Sequence, residues 1–265
     1  MLRRDVIRRL AMATCCVGNT SSFDVRAQGD RAPVSAVASV AAASDLKFAL
    51  EEIVDQLEKN SPHRFRLTLG SSGSLAQQIR QGLPAELYLS ADEDYVFRLA
   101  DVGLTQDRGA LYALGRIAIY VPLNSPISLD TKLEGLRNNW TKVSQFAIAN
   151  PDHAPYGRAA RQALQKLGLW ELVKPKLVLG ENISQATQFV TTGAAQAGIT
   201  ALSLGLAPQV ASLGRHLALP DHLHAPLRQR MVLLKTAGPA AAALYAYLQS
   251  APARVVLARY GFSIG

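Results

Sequence analysis

The sequence predicts an α/β protein of two lobes, each a mostly parallel sheet flanked by helices. Three observations predict it. Short apolar strands alternate with amphipathic helices, the alternation runs through twice, and the strand-to-helix junctions share one character in both passes. The 265 residues suffice for two modest domains, and 49% hydrophobic against 18% charged residues is a globular composition. That composition excludes a disordered chain and a disulfide scaffold, and the lack of a long apolar run excludes a polytopic membrane protein.

Residues 1 to 27 read as a secretory signal. Arg3, Arg4, Arg8 and Arg9 form its positive start, Leu10 to Gly18 its apolar stretch, and Val25-Arg26-Ala27 its cleavage site. The expected address is the periplasm. Cys15-Cys16 leaves a lipid anchor open as the lesser alternative, and Arg3-Arg4 leaves open a twin-arginine route. Without this segment 23 basic and 18 acidic residues remain, so the net charge falls from +8 to +5. The remaining cations are scattered and form no stripe with aromatic residues, which argues against a nucleic-acid partner. Both cysteines leave with the signal, removing disulfides, thiolate metal sites and a cysteine nucleophile from the mature chain.

The elements follow in order. Val34 to Ala43 is a strand of Val and small residues, and Leu46, Ala49, Leu50, Ile53, Val54 and Leu57 recur at helical spacing. Arg64 to Leu69 is a second strand, Leu75 to Ile79 opens a helix, and Ala85 to Leu89 is a third strand. A helix from Glu93 to Ala100 precedes the β-rich stretch Ala110 to Pro122. In the second pass Phe146 to Ala149 is a strand, and Ala160, Ala163, Leu164 and Leu167 mark a helix closed by Gly168. Lys176 to Leu179 is a strand, Ile183, Ala186, Phe189 and Val190 mark a helix closed by Gly193, and Ala197 to Thr200 is a strand. Met231 to Leu234, a helix from Pro239 to Leu248 and a last helix to Tyr260 complete the chain. We expect residues 28–114 plus 230–265 in a discontinuous first lobe and 115–229 in the second, the chain crossing near Tyr112 to Arg116 and returning near Arg228 to Met231.

Four junctions are alike. Ala42-Ala43-Ser44-Asp45-Leu46 offers Ser44 as an N-cap, Gly70-Ser71-Ser72-Gly73-Ser74-Leu75 is rich in hydroxyls and glycine, Asn150 to Gly157 is a turn with two prolines, and Gly180-Glu181-Asn182-Ile183-Ser184 offers Asn182 as a cap. Ser44 and Ser72 are 28 residues apart, Tyr156 and Ile183 are 27, so each lobe supplies two helix starts at nearly equal spacing. In parallel α/β sheets such junctions lie at the carboxyl edge, where these folds bind ligands. Free N–H groups and positive dipole ends would then meet at one spot, suited to a small anion.

At these junctions the sequence resembles the periplasmic molybdate-binding proteins, the ModA family of ABC transporters. The resemblance lies in AAASDL at 41 to 46, GSSGSLAQQI at 70 to 79, GLPAELYLSAD at 82 to 92, ANPDHAPYGRAARQAL at 149 to 164, GENISQA at 180 to 186 and RYGFSI at 259 to 264. It covers the chain from about residue 35 onward. It implies a type II solute-binding fold, a venus flytrap of two lobes, that captures molybdate, and tungstate alike, and delivers it to an ABC permease in the inner membrane. By motif position Ser44 and Ser72 would give hydroxyl and N–H donors, and the N–H groups of Tyr156 and Ile183 would complete the set. The metal would have no direct protein ligand. The same four residues would hold it through the oxo groups, no cofactor is implied, and the receptor would act as a monomer. Some members place a Tyr donor where this chain has Ala201, which leaves Asp45 N–H, Ser203 or a water to replace it.

Other readings fit less well. Gly70 to Ser74 is not the G-x-S-x-G of a hydrolase, because Ser74 stands where the second Gly is required. No acid/base pair, metal cluster or cofactor fingerprint suggests an enzyme, and residues 1 to 33 are too short for the DNA-reading element of a regulator. His222 and His224 lack a third ligand and read as solvated loop residues. His153 is expected to brace its own turn. Asp152 and Glu181 read as dipole partners, since a carboxylate repels a dianion, and Arg158 as a surface residue or an aid to anion capture. A fully deprotonated dianion needs donors only, so a site with no committed carboxylate favours molybdate over a protonated phosphate, with sulfate as the alternative.

Overall fold

The structure, a computed structural model, describes residues 37–264. The signal-like segment lies outside them. The first sheet is built from β1 (Val37–Ala43), β2 (Arg64–Gly70), β3 (Leu87–Ser90), β4 (Ala110–Gly115) and β10 (Leu227–Leu233), in the order β2-β1-β3-β10-β4. The second contains β5 (Ile117–Pro122), β6 (Phe146–Ala149), β7 (Leu177–Gly180), β8 (Ala197–Ala201) and β9 (Gly214–Ala218), in the order β7-β6-β8-β5-β9. Three strands of each sheet pair in parallel, and β10 and β5 run antiparallel to both of their neighbours. Four strands of each sheet therefore share one direction, as the βαβ alternation predicts. Arg116 alone separates β4 from β5, and Leu227 to Gln229, which open β10, pair with β4.

Helices cover both faces of the first sheet. On one face α1 (Lys47–Lys59) lies beside two C-terminal helices, Pro239–Leu248 and Ala251–Arg259, and on the other lie α2 (Ser72–Arg80) and α3 (Glu93–Asp101). The α1 stripe read from the sequence is the buried one: Leu46, Leu50 and Ile53 are fully buried, each worth about 1.5–3 kcal/mol. The second lobe adds α4 (Glu134–Asn138), α5 (Pro155–Lys166), α6 (Trp170–Val173), α7 (Ile183–Thr191), α8 (Leu202–Leu206) and α9 (Pro208–Ala211), which makes the two C-terminal helices α10 and α11. The short helices α4, α6, α8 and α9, and strand β9, carry too few residues for a periodic signal and are absent from the sequence reading. Among the described residues no helix is long and apolar enough to cross a membrane.

Candidate anion site

The expected junctions sit at carboxyl ends of strands. Ala43 ends β1, Gly70 ends β2, Ala149 ends β6 and Gly180 ends β7, and the helix starts that follow come from both lobes. Ser44, Ser72, Tyr156 and Ile183 all line one small cavity, together with Ala43, Asp45, Gly70, Ser71, Ala91, Ala154 and Pro155. Its empty space, including the part open to solvent, is about 180 Å³, which leaves room for a small guest of a few heavy atoms at most. No Lys or Arg lines it. A roomier groove of about 940 Å³ opens on the other side of Ser44 and Asn182, but the starts of α2 and α5 do not reach it.

The helix ends define which donors face the cavity. In α2 the Ser71 side chain caps the Ser74 N–H, and the Gly73 N–H donates across the cleft to the His153 carbonyl at 2.9 Å. That leaves the N–H of Ser72, the first residue of the helix, without an intrahelical partner. The Ser72 hydroxyl accepts from the Ala91 N–H at 2.9 Å, so its own proton is free to donate. In α7 Asn182 caps Gln185 as the sequence predicts, leaving Ile183 N–H at the tip. In α5 Ala154 gives no side-chain cap and Pro155 occupies the first turn, so the Tyr156 N–H also lacks an intrahelical acceptor.

Ser44 departs from its expected role. It opens a 3₁₀ turn, Ser44–Leu46, behind Ala43, and its side chain does not cap the helix that follows it. Its hydroxyl crosses the cleft instead, donating to Asn182 Oδ1 at 3.1 Å and accepting from the Ser184 N–H at 3.3 Å. His153 likewise reaches beyond its own turn: Nδ1 meets Ser71 Oγ at 2.8 Å, and Nε2 stands 3.6 Å from the exposed Glu181 carboxylate. Arg158 pairs with Asp92 of the first lobe and donates to the Tyr95 hydroxyl at 2.9 Å. Asp152 is exposed, its N–H held by Asn150. His224 is buried rather than solvated, with Nδ1 on the Ala225 carbonyl at 2.7 Å.

The largest difference from the sequence reading is Asp45. Asp45 is among the residues lining the cavity and its carboxyl is buried, where a site of neutral donors alone was expected. Oδ2 accepts from the Tyr156 hydroxyl at 3.0 Å and from Gln229 Nε2 at 2.6 Å, and Gln229 in turn accepts from the Tyr112 hydroxyl at 2.6 Å. Burial pushes the Asp45 carboxyl up to about 6, against the pull of Gln229, Tyr156 and its own backbone N–H. Burial and the nearby Asp45 charge hold the Tyr156 phenol well above its ordinary value, so it donates as a neutral group. Ser203 also belongs to this network: its hydroxyl donates to the Asp45 carbonyl at 2.7 Å and does not line the cavity. Gln229 and Tyr112 went unread in the sequence. The available signal was the inward register of β10, where Leu227, Gln229 and Met231 alternate as buried positions and the amide stands out.

Two glycines allow the lobes to meet this closely. A Cβ on Gly73 would stand 2.6 Å from the His153 carbonyl oxygen, and one on Gly115 would stand 2.3 Å from the Tyr156 hydroxyl.

Two α/β lobes whose helix starts enclose a small cavity at the carboxyl ends of both sheets define a two-lobed solute-binding protein. The chain matches the family described as bacterial extracellular solute-binding protein over residues 38–263. It is 36% identical to the molybdate-binding protein ModA of Azotobacter vinelandii over 87% of this chain and 91% of that relative. To ModA of Escherichia coli (strain K12) it is 30% identical over 85% of this chain and 88% of the relative. The solved structure of the Azotobacter vinelandii periplasmic molybdate-binding protein matches with a TM-score of 0.79 at 26% identity, covering 86% of this chain and 99% of that one. The chain belongs to the ModA family of bacterial extracellular solute-binding proteins.

Proposed function

We propose that the protein is an exported receptor that captures molybdate, and tungstate by the same donors, between its lobes and delivers it unchanged to an ABC permease of the inner membrane. The observation that carries this reading is the meeting of Ser44, Ser72, Tyr156 and Ile183, two from each lobe, on one cavity of a few heavy atoms without a cation. The Ser72 hydroxyl and the N–H groups at the helix starts hold a dianion by directed hydrogen bonds, and the positive ends of the helices add to them. Donors from both lobes make the closed form the one the anion favours. The lobes, 28–114 plus 230–265 and 115–229, would swing about the two strands of chain that join them, with the protein acting as a monomer. The signal at residues 1 to 27 would carry it to the periplasm.

Isothermal titration of the purified protein with molybdate, tungstate, sulfate and phosphate in turn tests the reading. One-to-one binding of the first two is expected, and the double variant Ser44→Ala with Ser72→Ala is expected to lose it. Binding of sulfate or phosphate instead would keep the site and reject the molybdate assignment.

A further inference from the structure

Asp45 presents a chemical problem at this site. Asp45 is one of the residues that line a cavity read as a dianion site, and a fixed negative charge on its buried carboxyl opposes the guest. The network on its two oxygens is asymmetric. Oδ2 takes both donors, Tyr156 and Gln229, while Oδ1 is buried without a hydrogen-bond partner among the described residues. A proton on this carboxyl therefore belongs on Oδ1, since Oδ2 already faces two donors. Without a guest that proton has no acceptor. An oxyanion in the cavity that Asp45 helps to line would supply one.

We propose, resting on the oxyanion reading above, that Asp45 binds the anion through its side chain as a neutral carboxylic acid that donates from Oδ1, so that capturing one dianion takes one proton from solution. The proton moves onto Asp45 Oδ1 and stays there while the anion is held. No bond of the oxyanion is made or broken. The groups around Asp45 leave this proton to it alone. Tyr156 from α5 and Tyr112 from β4 are phenols held neutral by burial, Gln229 from β10 and Ser203 from α8 are uncharged, and neither a cation nor a second anion contributes to the Asp45 shift. The acid thus adds a donor beyond the four read from the junctions, from the lobe opposite the one whose Ala201 lacks a Tyr hydroxyl. It also resolves the conflict with phosphate selection, because a protonated Asp45 is one more donor rather than the acceptor that a protonated phosphate needs.

The sign follows from the raised carboxyl. The empty protein holds the proton below about pH 6 and releases it above, so affinity for a fully deprotonated anion is complete on the acid side and falls as pH rises. The test is titration of the protein with sodium molybdate between about pH 6 and about pH 8, in buffers of different ionisation enthalpy, which counts the protons exchanged. Uptake approaching one proton at the alkaline end is expected, with Kd rising by up to about tenfold per pH unit. Asp45→Asn keeps a donor on that side of the cavity and carries no titrating proton, so it is expected to bind with neither uptake nor pH slope. Wild-type binding with no proton exchange and a flat profile overturns the proposal and leaves the receptor reading intact. Proton release, or tighter binding of phosphate than of molybdate, also overturns it, with Asp45 then acting as an ionised acceptor. No binding of any oxyanion sinks the receptor reading and the proposal with it. If Asp45→Asn fails to fold, the wild-type proton count decides alone.

Discussion

The starts of α5 and α7 belong to the same lobe and reach the same cavity, yet they are finished by different means. The α7 helix completes itself locally: Asn182 caps Gln185 at 3.1 Å, and the Ser44 hydroxyl merely adds to that cap from across the cleft. The α5 helix has no side-chain cap at Ala154, and its second residue, Tyr156, donates to Asp45 of the other lobe. One helix end is thus capped within its own lobe, and the other carries a hydrogen bond that exists only where the lobes meet. A locally capped end favours a donor that is always presented. An end anchored across the cleft couples the donor to closure.

The strongest way to break this comparison is Tyr156→Phe. It removes the cross-cleft bond of the α5 start and one of two side-chain donors on a buried carboxyl, an interaction worth about 1.5–3 kcal/mol, so molybdate affinity in calorimetry is expected to fall by roughly ten- to a hundredfold. Affinity equal to wild type would show that α5 is placed without the phenol. Asn182→Ala is expected to act mainly on stability, lowering the denaturation midpoint in proportion to about 1 kcal/mol for a lost cap. An affinity loss larger than that of Tyr156→Phe would reverse the ranking of the two helix ends. The smallest effect is expected from Arg158→Ala at the rim. Its pair with Asp92 is partly solvated, so less than about 1 kcal/mol should be lost, and the loss should shrink further in high salt.

The four residues taken from the junctions reach one cavity because each junction is a local pattern, a strand end followed by a capped or proline-led helix start. Asn182 was legible as a cap for the same reason. Ser44 was misread because a serine before an apolar periodic stretch has the same local signature whether it caps its own helix or turns away to another lobe. What distinguishes the two is Asn182, 138 residues further along the chain. The Asp45 network was out of reach for the same reason, with Tyr156 and Gln229 lying 111 and 184 residues from it.

The sequence by itself determined the strand and helix alternation, the two passes, and the helix starts that gather at the carboxyl edges, because apolar period and capping chemistry act within a few residues. Only the tertiary structure decided the direction of each polar side chain in the cleft: Ser44 on Asn182, His153 on Ser71, and Asp45 buried with one oxygen bonded and one bare. Burial makes hydrogen bonding obligatory, and the partner that satisfies it is whichever group the packed lobes bring within reach.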